Sequence, residues 1–228
     1  MPHPTRVNEQ KNIRLKRDLT DRCRDDYIFA FDSKDYGDVN IYNKLGKPTK
    51  GSPAFLTGFA TLFHSESTKP VVFFLTYDIG DRPEINTFIR HVICCIAVRE
   101  KDSIHVFVFD MRNLEDIANG HERHLETELK KITHCPLPVH ILNVACLERS
   151  KCTYLQRFKK FEDPGWCIAW AMFFLDAAIC RPVWKGKYVY ELTVSELKHA
   201  LAKMYRLVDE QLVKHGNGFI EDWYVLGL

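Results

Sequence analysis

Hydrophobic positions along the chain fall into short runs with two different periods. Residues 71–77, Val-Val-Phe-Phe-Leu-Thr-Tyr, are β-branched and aromatic and are bounded by Pro70 and by a polar stretch reaching Pro83, which predicts a buried strand. Residues 92–98 and 104–109 are two further apolar runs. The polar segment Arg99-Glu100-Lys101-Asp102-Ser103 between them predicts a β-hairpin. Leu114, Ile117, Leu125, Leu129 and Ile132 then recur at helical spacing, with Gly120 as a break, and 139–145 reads as another short strand. Behind Asp163-Pro164-Gly165-Trp166 comes the apolar stretch 168–175, free of proline and glycine, which predicts a helix starting at the Pro-Gly break. Thr193-Val194-Ser195-Glu196 has capping-box form. It opens an amphipathic helix with Leu197, Leu201, Met204, Leu207, Val208 and Leu212 on one side, closed by Gly216 and Gly218. The part that follows residue 25 reads as loop-rich, through Gly37, Gly46, Pro48, Gly51 and Pro53. The sum predicts an α+β fold, a central sheet between helices.

Length and composition refine this picture. With 228 residues and 46% hydrophobic content, the chain is expected to build one core, over residues 26–228. Residues 1–25 read as a basic extension or a first irregular helix, carrying Lys11, Arg14, Lys16, Arg17, Arg22 and Arg24. The formal net charge of +2 gives no general push toward nucleic acid, so that extension is the one weak hint of such a partner. The eight cysteines are scattered and the first twenty-five residues are polar and basic, unlike a secretory signal. Reduced thiols in a soluble, intracellular protein are therefore expected, with no membrane span.

The chemistry centres on Cys167. A cysteine is most often a small buried hydrophobe. This one falls in the first turn of the expected helix, where unpaired backbone N–H groups and the positive end of the dipole favour a thiolate. A nucleophile there needs a base. If the hairpin turns through Glu100-Lys101, His91 stands directly opposite Asp110, with Cβ atoms about 4.5 to 5.5 Å apart. A carboxylate so placed fixes the histidine tautomer and leaves the other ring nitrogen for the thiol. A four-residue loop keeps the pair diagonal on one face, and a three-residue loop puts the two on opposite faces. His105 points away with Phe107 and Phe109 and reads as a structural or rim residue. His121 and His124 read as surface residues, and His134 and His140 as minor alternatives.

The order His, Asp, then Cys on a helix behind a Gly-containing loop resembles the ubiquitin-like (SUMO) protease and adenovirus-protease superfamily. The resemblance is closest to the versions carried by large DNA viruses. Its residues are Leu155-Gln156, then Asp163-Pro164-Gly165-Trp166-Cys167-Ile168-Ala169-Trp170, then Phe174-Leu175-Asp176 and Arg181-Pro182, and it is strongest over 91–182. The glycine lies one residue nearer Asp163-Pro164 than in the family pattern, and Gln156 stands farther from Cys167 than in the cellular SUMO proteases. The resemblance implies a papain-like-superfamily cysteine protease core, a mixed sheet between helices with the nucleophile at a helix N-terminus. It implies His91 as general base, Asp110 as orienting acid, Cys167 as nucleophile and Gln156 as an oxyanion-hole side chain. Trp166 would wall a narrow substrate channel that accepts only small residues such as glycine before the cleaved bond. The implied activity is a cysteine peptidase or isopeptidase acting on viral polyproteins or ubiquitin-like conjugates, without a cofactor, in host cytoplasm, nucleus or virion.

Other chemistries fit less well. His134, Cys135, Cys146 and Cys152 match no common zinc spacing, so no metal is expected. Gly46-Lys47-Pro48-Thr49 lacks a phosphate-loop framework, and no Gly-x-Ser-x-Gly elbow exists. The non-enzymatic alternative is a catalytically silent protease-fold binding or virion structural protein. Within enzymes, the alternative is transfer of the acyl group to an acceptor other than water.

Overall fold

Two long antiparallel strands, Val71–Arg82 (β4) and Thr87–Glu100 (β5), form the spine of the molecule. The computed structural model describes residues 9–31, 38–41, 49–65, 67–82, 87–109, 122–144 and 166–215. In chain order these form helix α1 (Glu9–Cys23), strands β1 (Ile28–Phe29), β2 (Val39–Ile41) and β3 (Lys50–Gly51), helix α2 (Pro53–His64), β4, β5, β6 (Ser103–Phe109), helix α3 (Glu122–Thr133), β7 (Val139–Asn143), helix α4 (Trp166–Ile179) and helix α5 (Val194–His215). The sheet runs β3-β2-β4-β5-β6-β7, with β1 pairing in parallel along the first residues of β4. β4–β5 and β5–β6 are antiparallel, while β2–β4 and β6–β7 are parallel. The fold is α+β, a mixed central sheet flanked by helices.

Strand alternation divides the apolar residues into two cores. Val72, Phe74, Val92, Cys94, Ile96, Val98, Phe107 and Phe109 pack with residues of α1, α4 and α5. Val71, Phe73, Leu75, Ile93, Cys95, Ala97, Ile104, Val106 and Val108 pack with residues of α2 and α3. A sheet buried on both faces explains why these runs are apolar at every position rather than at alternate ones.

One local expectation is corrected. The hairpin turns through Lys101-Asp102, not Glu100-Lys101, because Glu100 pairs with Ser103 and Cys94 with Phe109. Lys101 takes the left-handed conformation at φ 46°. Pro53, where the loop-rich stretch ends, opens α2, which Ser52 caps by accepting from the Phe55 N–H at 3.1 Å. Gly58 lets that helix approach β1, since a Cβ there would stand 2.6 Å from Ala30 Cβ. Residues 9–23 are a helix, one of the two readings of the N-terminal segment, and its Asn12, Lys16 and Leu19 are buried.

The capping box of α5 forms as expected. The Glu196 carboxylate accepts from the Thr193 N–H at 3.1 Å, and the Glu196 N–H donates to Thr193 Oγ1 at 3.3 Å. Leu197, Leu201 and Val208 are buried along its inner face, but Leu207, expected on that side, is 50% exposed.

Candidate active site

Cys167 lies in the first turn of α4, half-buried and reduced, packed against the core that α4 shares with α1 and α5. α4 carries no acidic residue in its first turn and no basic residue in its last. The positive end of its dipole is therefore not offset by an acidic side chain of that turn.

Ring packing sets the height and direction of this helix. Phe174 packs against Phe109 with ring centroids 4.8 Å apart, and Phe109 pairs with Cys94 of β5. At the other end, Arg22 donates to Cys180 Sγ at 3.5 Å, beside the chain that enters β1 opposite Val71. α4 therefore runs along β5 in the same direction. Cys167 precedes Phe174 by two turns, about 10 Å of helix. His91 precedes Cys94 by about 10 Å of strand. Cys167 and strand position 91 thus lie toward the same end of the sheet.

His91 pairs with Tyr77 in the regular part of the β4–β5 ladder, ahead of the irregularity at Asp78 and Asp81. Its backbone belongs to the odd-numbered register of β5, with Ile93, Cys95 and Ala97. Asp110 and Gln156 lie outside the described residues, and Trp166 is described as backbone at the start of α4. The observed hairpin register shifts the ladder by two residues from the expected one, a shift that preserves facing parity.

Several histidines leave the contest. His105 pairs with His140, opposite the far end of β5, with ring centroids 5.2 Å apart. His105 Nε2 meets Ser103 Oγ at 3.0 Å and Glu100 Oε2 at 3.4 Å, the surroundings of a structural histidine. Burial lowers its pKa, against the pull of Glu100. His134 sits in the turn before β7, at that same far end. Among the described residues no group of three His, Cys, Asp or Glu side chains is arranged to hold a metal. No described helix is long and apolar enough to cross a membrane.

Two buried charges escaped the sequence reading. Lys16 of α1 places its ammonium 4.5 Å from the Phe74 ring centroid, and Asp38 accepts from the Phe74 N–H at 3.0 Å. β1 pairs with residues 71–72 of β4 and β2 with residues 75–77, so the Asp38 carboxylate fills the gap in the ladder between them. Beneath them, burial pushes the Cys94 thiol far up, with Lys16 opposing and Asp38 adding to the shift. Nothing local signals this: a lysine in a basic run and an aspartate beside Gly37 read as surface.

No protein-family model and no curated protein sequence matches the chain. Among solved structures, it is similar to the Legionella pneumophila effector protein RavZ. One crystal structure, of RavZ 1–487, aligns with a TM-score of 0.33 at 12% identity over 80% of this chain and 53% of that one. A second RavZ crystal structure aligns at 0.29 and 11%, over 66% and 43%. The chain spans about half the length of the RavZ chains it matches. At these scores the likeness carries no argument about activity.

Proposed function

We propose that this protein is a thiol-dependent peptidase or isopeptidase. Cys167 is its nucleophile, His91 the general base, Asp110 the acid that orients it, Gln156 an oxyanion donor and Trp166 a wall of the substrate channel. The observation that carries the reading is Cys167 in the first turn of α4, at the end of the sheet from which β5 leads away with His91. The Cys167 thiolate forms a C–S bond to the carbonyl carbon, and the oxyanion takes hydrogen bonds from the Cys167 N–H and the Gln156 amide. The leaving amine departs with a proton from His91. Water, deprotonated by His91, then cleaves the thioester. The substrate is a protein cleaved after a small residue, glycine above all, in a polyprotein or a ubiquitin-like conjugate.

A catalytically silent binding protein is the second reading, and the register of β5 favours it. His91 is in step with residues that pack under α2 and α3, whereas Cys167 is carried by the helix on the other face. Electrophilic probes ending in Gly-Gly, built on ubiquitin, a SUMO protein and a short peptide, separate the two. Labelling of the native protein that is lost in both Cys167→Ala and His91→Ala supports the peptidase. Labelling that survives His91→Ala removes His91 as base, and no labelling of folded protein by any probe favours the silent reading.

A further inference from the structure

The connection from α4 to α5 carries an indole attended by two lysines. Residues 184–187, Trp-Lys-Gly-Lys, close a tight turn in which the Lys187 N–H donates to the Trp184 carbonyl at 2.8 Å. The Val183 N–H donates to the Lys187 carbonyl at 2.9 Å, and Lys185 at φ 49° and Gly186 at φ 81° give a type I′ geometry. A Cβ on Gly186 would meet nothing within 4 Å, so the tip projects into open space. Trp184 is half-buried, with the Lys185 ammonium 5.6 Å and the Lys203 ammonium 5.8 Å from its ring centroid. The His199 ring stands 6.4 Å away, its Nδ1 held at 2.8 Å from the Ser195 carbonyl. Lys187 is matched by Glu196 at 3.5 Å, whereas the exposed Lys185 and Lys203 form no ion pair among the described residues. One turn beyond Lys203, on the same side of α5, Leu207 is 50% exposed.

We propose that Trp184, Lys185, Lys203 and Leu207 form a docking surface for an acidic protein segment that carries an apolar side chain beside its carboxylates. Charge complementarity selects the occupant. Two ammonium groups drawn to one ring repel each other, and carboxylates placed against them relieve that repulsion. The ring holds both cations near their bound positions, and the hydrogen-bonded turn fixes the backbone, so less freedom is lost on binding. The apolar side chain of the partner covers Leu207. A nucleic-acid strand fits less well, because the ammonium groups lie over the indole on which a base would stack. A bilayer fits less well too, because the projecting tip, Lys185-Gly186-Lys187, has no apolar side chain to insert.

The chain reaches this turn beyond the C-terminal end of α4, the end away from Cys167. The surface uses none of the residues of the proposed catalytic machinery, and the inference stands whether or not Cys167 is catalytic.

The test is fluorescence anisotropy of the full chain with a short labelled peptide of alternating glutamate and leucine. A lysine–leucine peptide, a glutamate–serine peptide, oligothymidylate and phosphatidylserine vesicles are run beside it. The glutamate–leucine peptide is expected to bind best, with an affinity that falls as salt rises. Lys185→Ala and Lys203→Ala should each weaken it about 2- to 5-fold, and the double reversal Lys185→Glu with Lys203→Glu by roughly 10-fold or more, with Tm unchanged. Lys131→Glu, on α3 at the other face of the sheet, makes the same change of charge and should leave binding unaltered. Equal weakening by Lys131→Glu reduces the effect to net charge and overturns the surface. Absence of binding overturns it as well, and tighter binding of oligothymidylate or vesicles than of the peptide overturns the choice of partner.

Discussion

Phe109, the last residue of β6, packs against Phe174 in the middle of α4 with ring centroids 4.8 Å apart and planes inclined at 31°. Trp170 lies 6.2 Å from Phe174 on the same helix, and Tyr205 of α5 stacks on it at 6.3 Å and 4°. One ring thus joins the sheet, the helix that carries Cys167, and the last helix.

Phe174→Ala should therefore destabilise the protein by about 3 to 5 kcal/mol, because a fully buried ring leaves a cavity among neighbours held on three elements. Urea unfolding measures this. A loss below about 1 kcal/mol would mean that the helix is not anchored here.

Asp38→Ala removes the acceptor that satisfies the buried Phe74 N–H, at an expected cost of about 2 to 3 kcal/mol. Asp38→Asn keeps an amide oxygen in reach and should recover part of that. Equal losses in the two variants would argue for the charge, close to Lys16, rather than the hydrogen bond.

The His105 imidazole, facing Glu100, Ser103, His140 and Lys198, gives a pH signature. Its folded pKa lies below the usual 6.5, chiefly through burial. Below pH 6.5 the unfolded chain binds a proton that the folded one resists, so stability is full above that value and falls as pH drops toward the folded pKa. His105→Gln should flatten this part of the stability-versus-pH curve. An unchanged slope assigns it to other groups.

Lys101 sits at φ 46° in the two-residue turn of the β5–β6 hairpin. Glycine adopts that conformation without a Cβ penalty, so Lys101→Gly should be neutral or stabilising by up to about 1 kcal/mol. A rise in Tm of a few degrees is the expected reading, and a clear fall would place the turn elsewhere.

On the proposed mechanism, Gln156→Ala should slow turnover of a glycine-ending substrate roughly 100- to 1,000-fold. Its binding should change little. Steady-state kinetics checks this, and an unchanged kcat would remove Gln156 from the site.

Periodicity was enough to read the elements whose signal is local. The apolar runs of β4, β5, β6 and β7, the Thr193–Glu196 box and the start of α4 at the Pro-Gly break all lie in single segments, and the backbone follows them. α2 was also local, a Ser-Pro cap followed by Phe55, Phe59 and Leu62 at helical spacing, but it was hidden among turn-forming residues.

Local pattern could not choose among nearly equal alternatives or see across the chain. The polar segment 99–103 accommodates several turns, and pairing along the whole hairpin selected Lys101-Asp102 despite the left-handed lysine. The motif around Cys167 placed that cysteine in the first turn of a helix by sequence alone. Which face of the sheet that helix covers, the burial of Lys16 and Asp38, and the contact of Arg22 with Cys180 were decided by tertiary packing. Those relationships join residues far apart in sequence, and only chain closure around the sheet brings them within bonding distance.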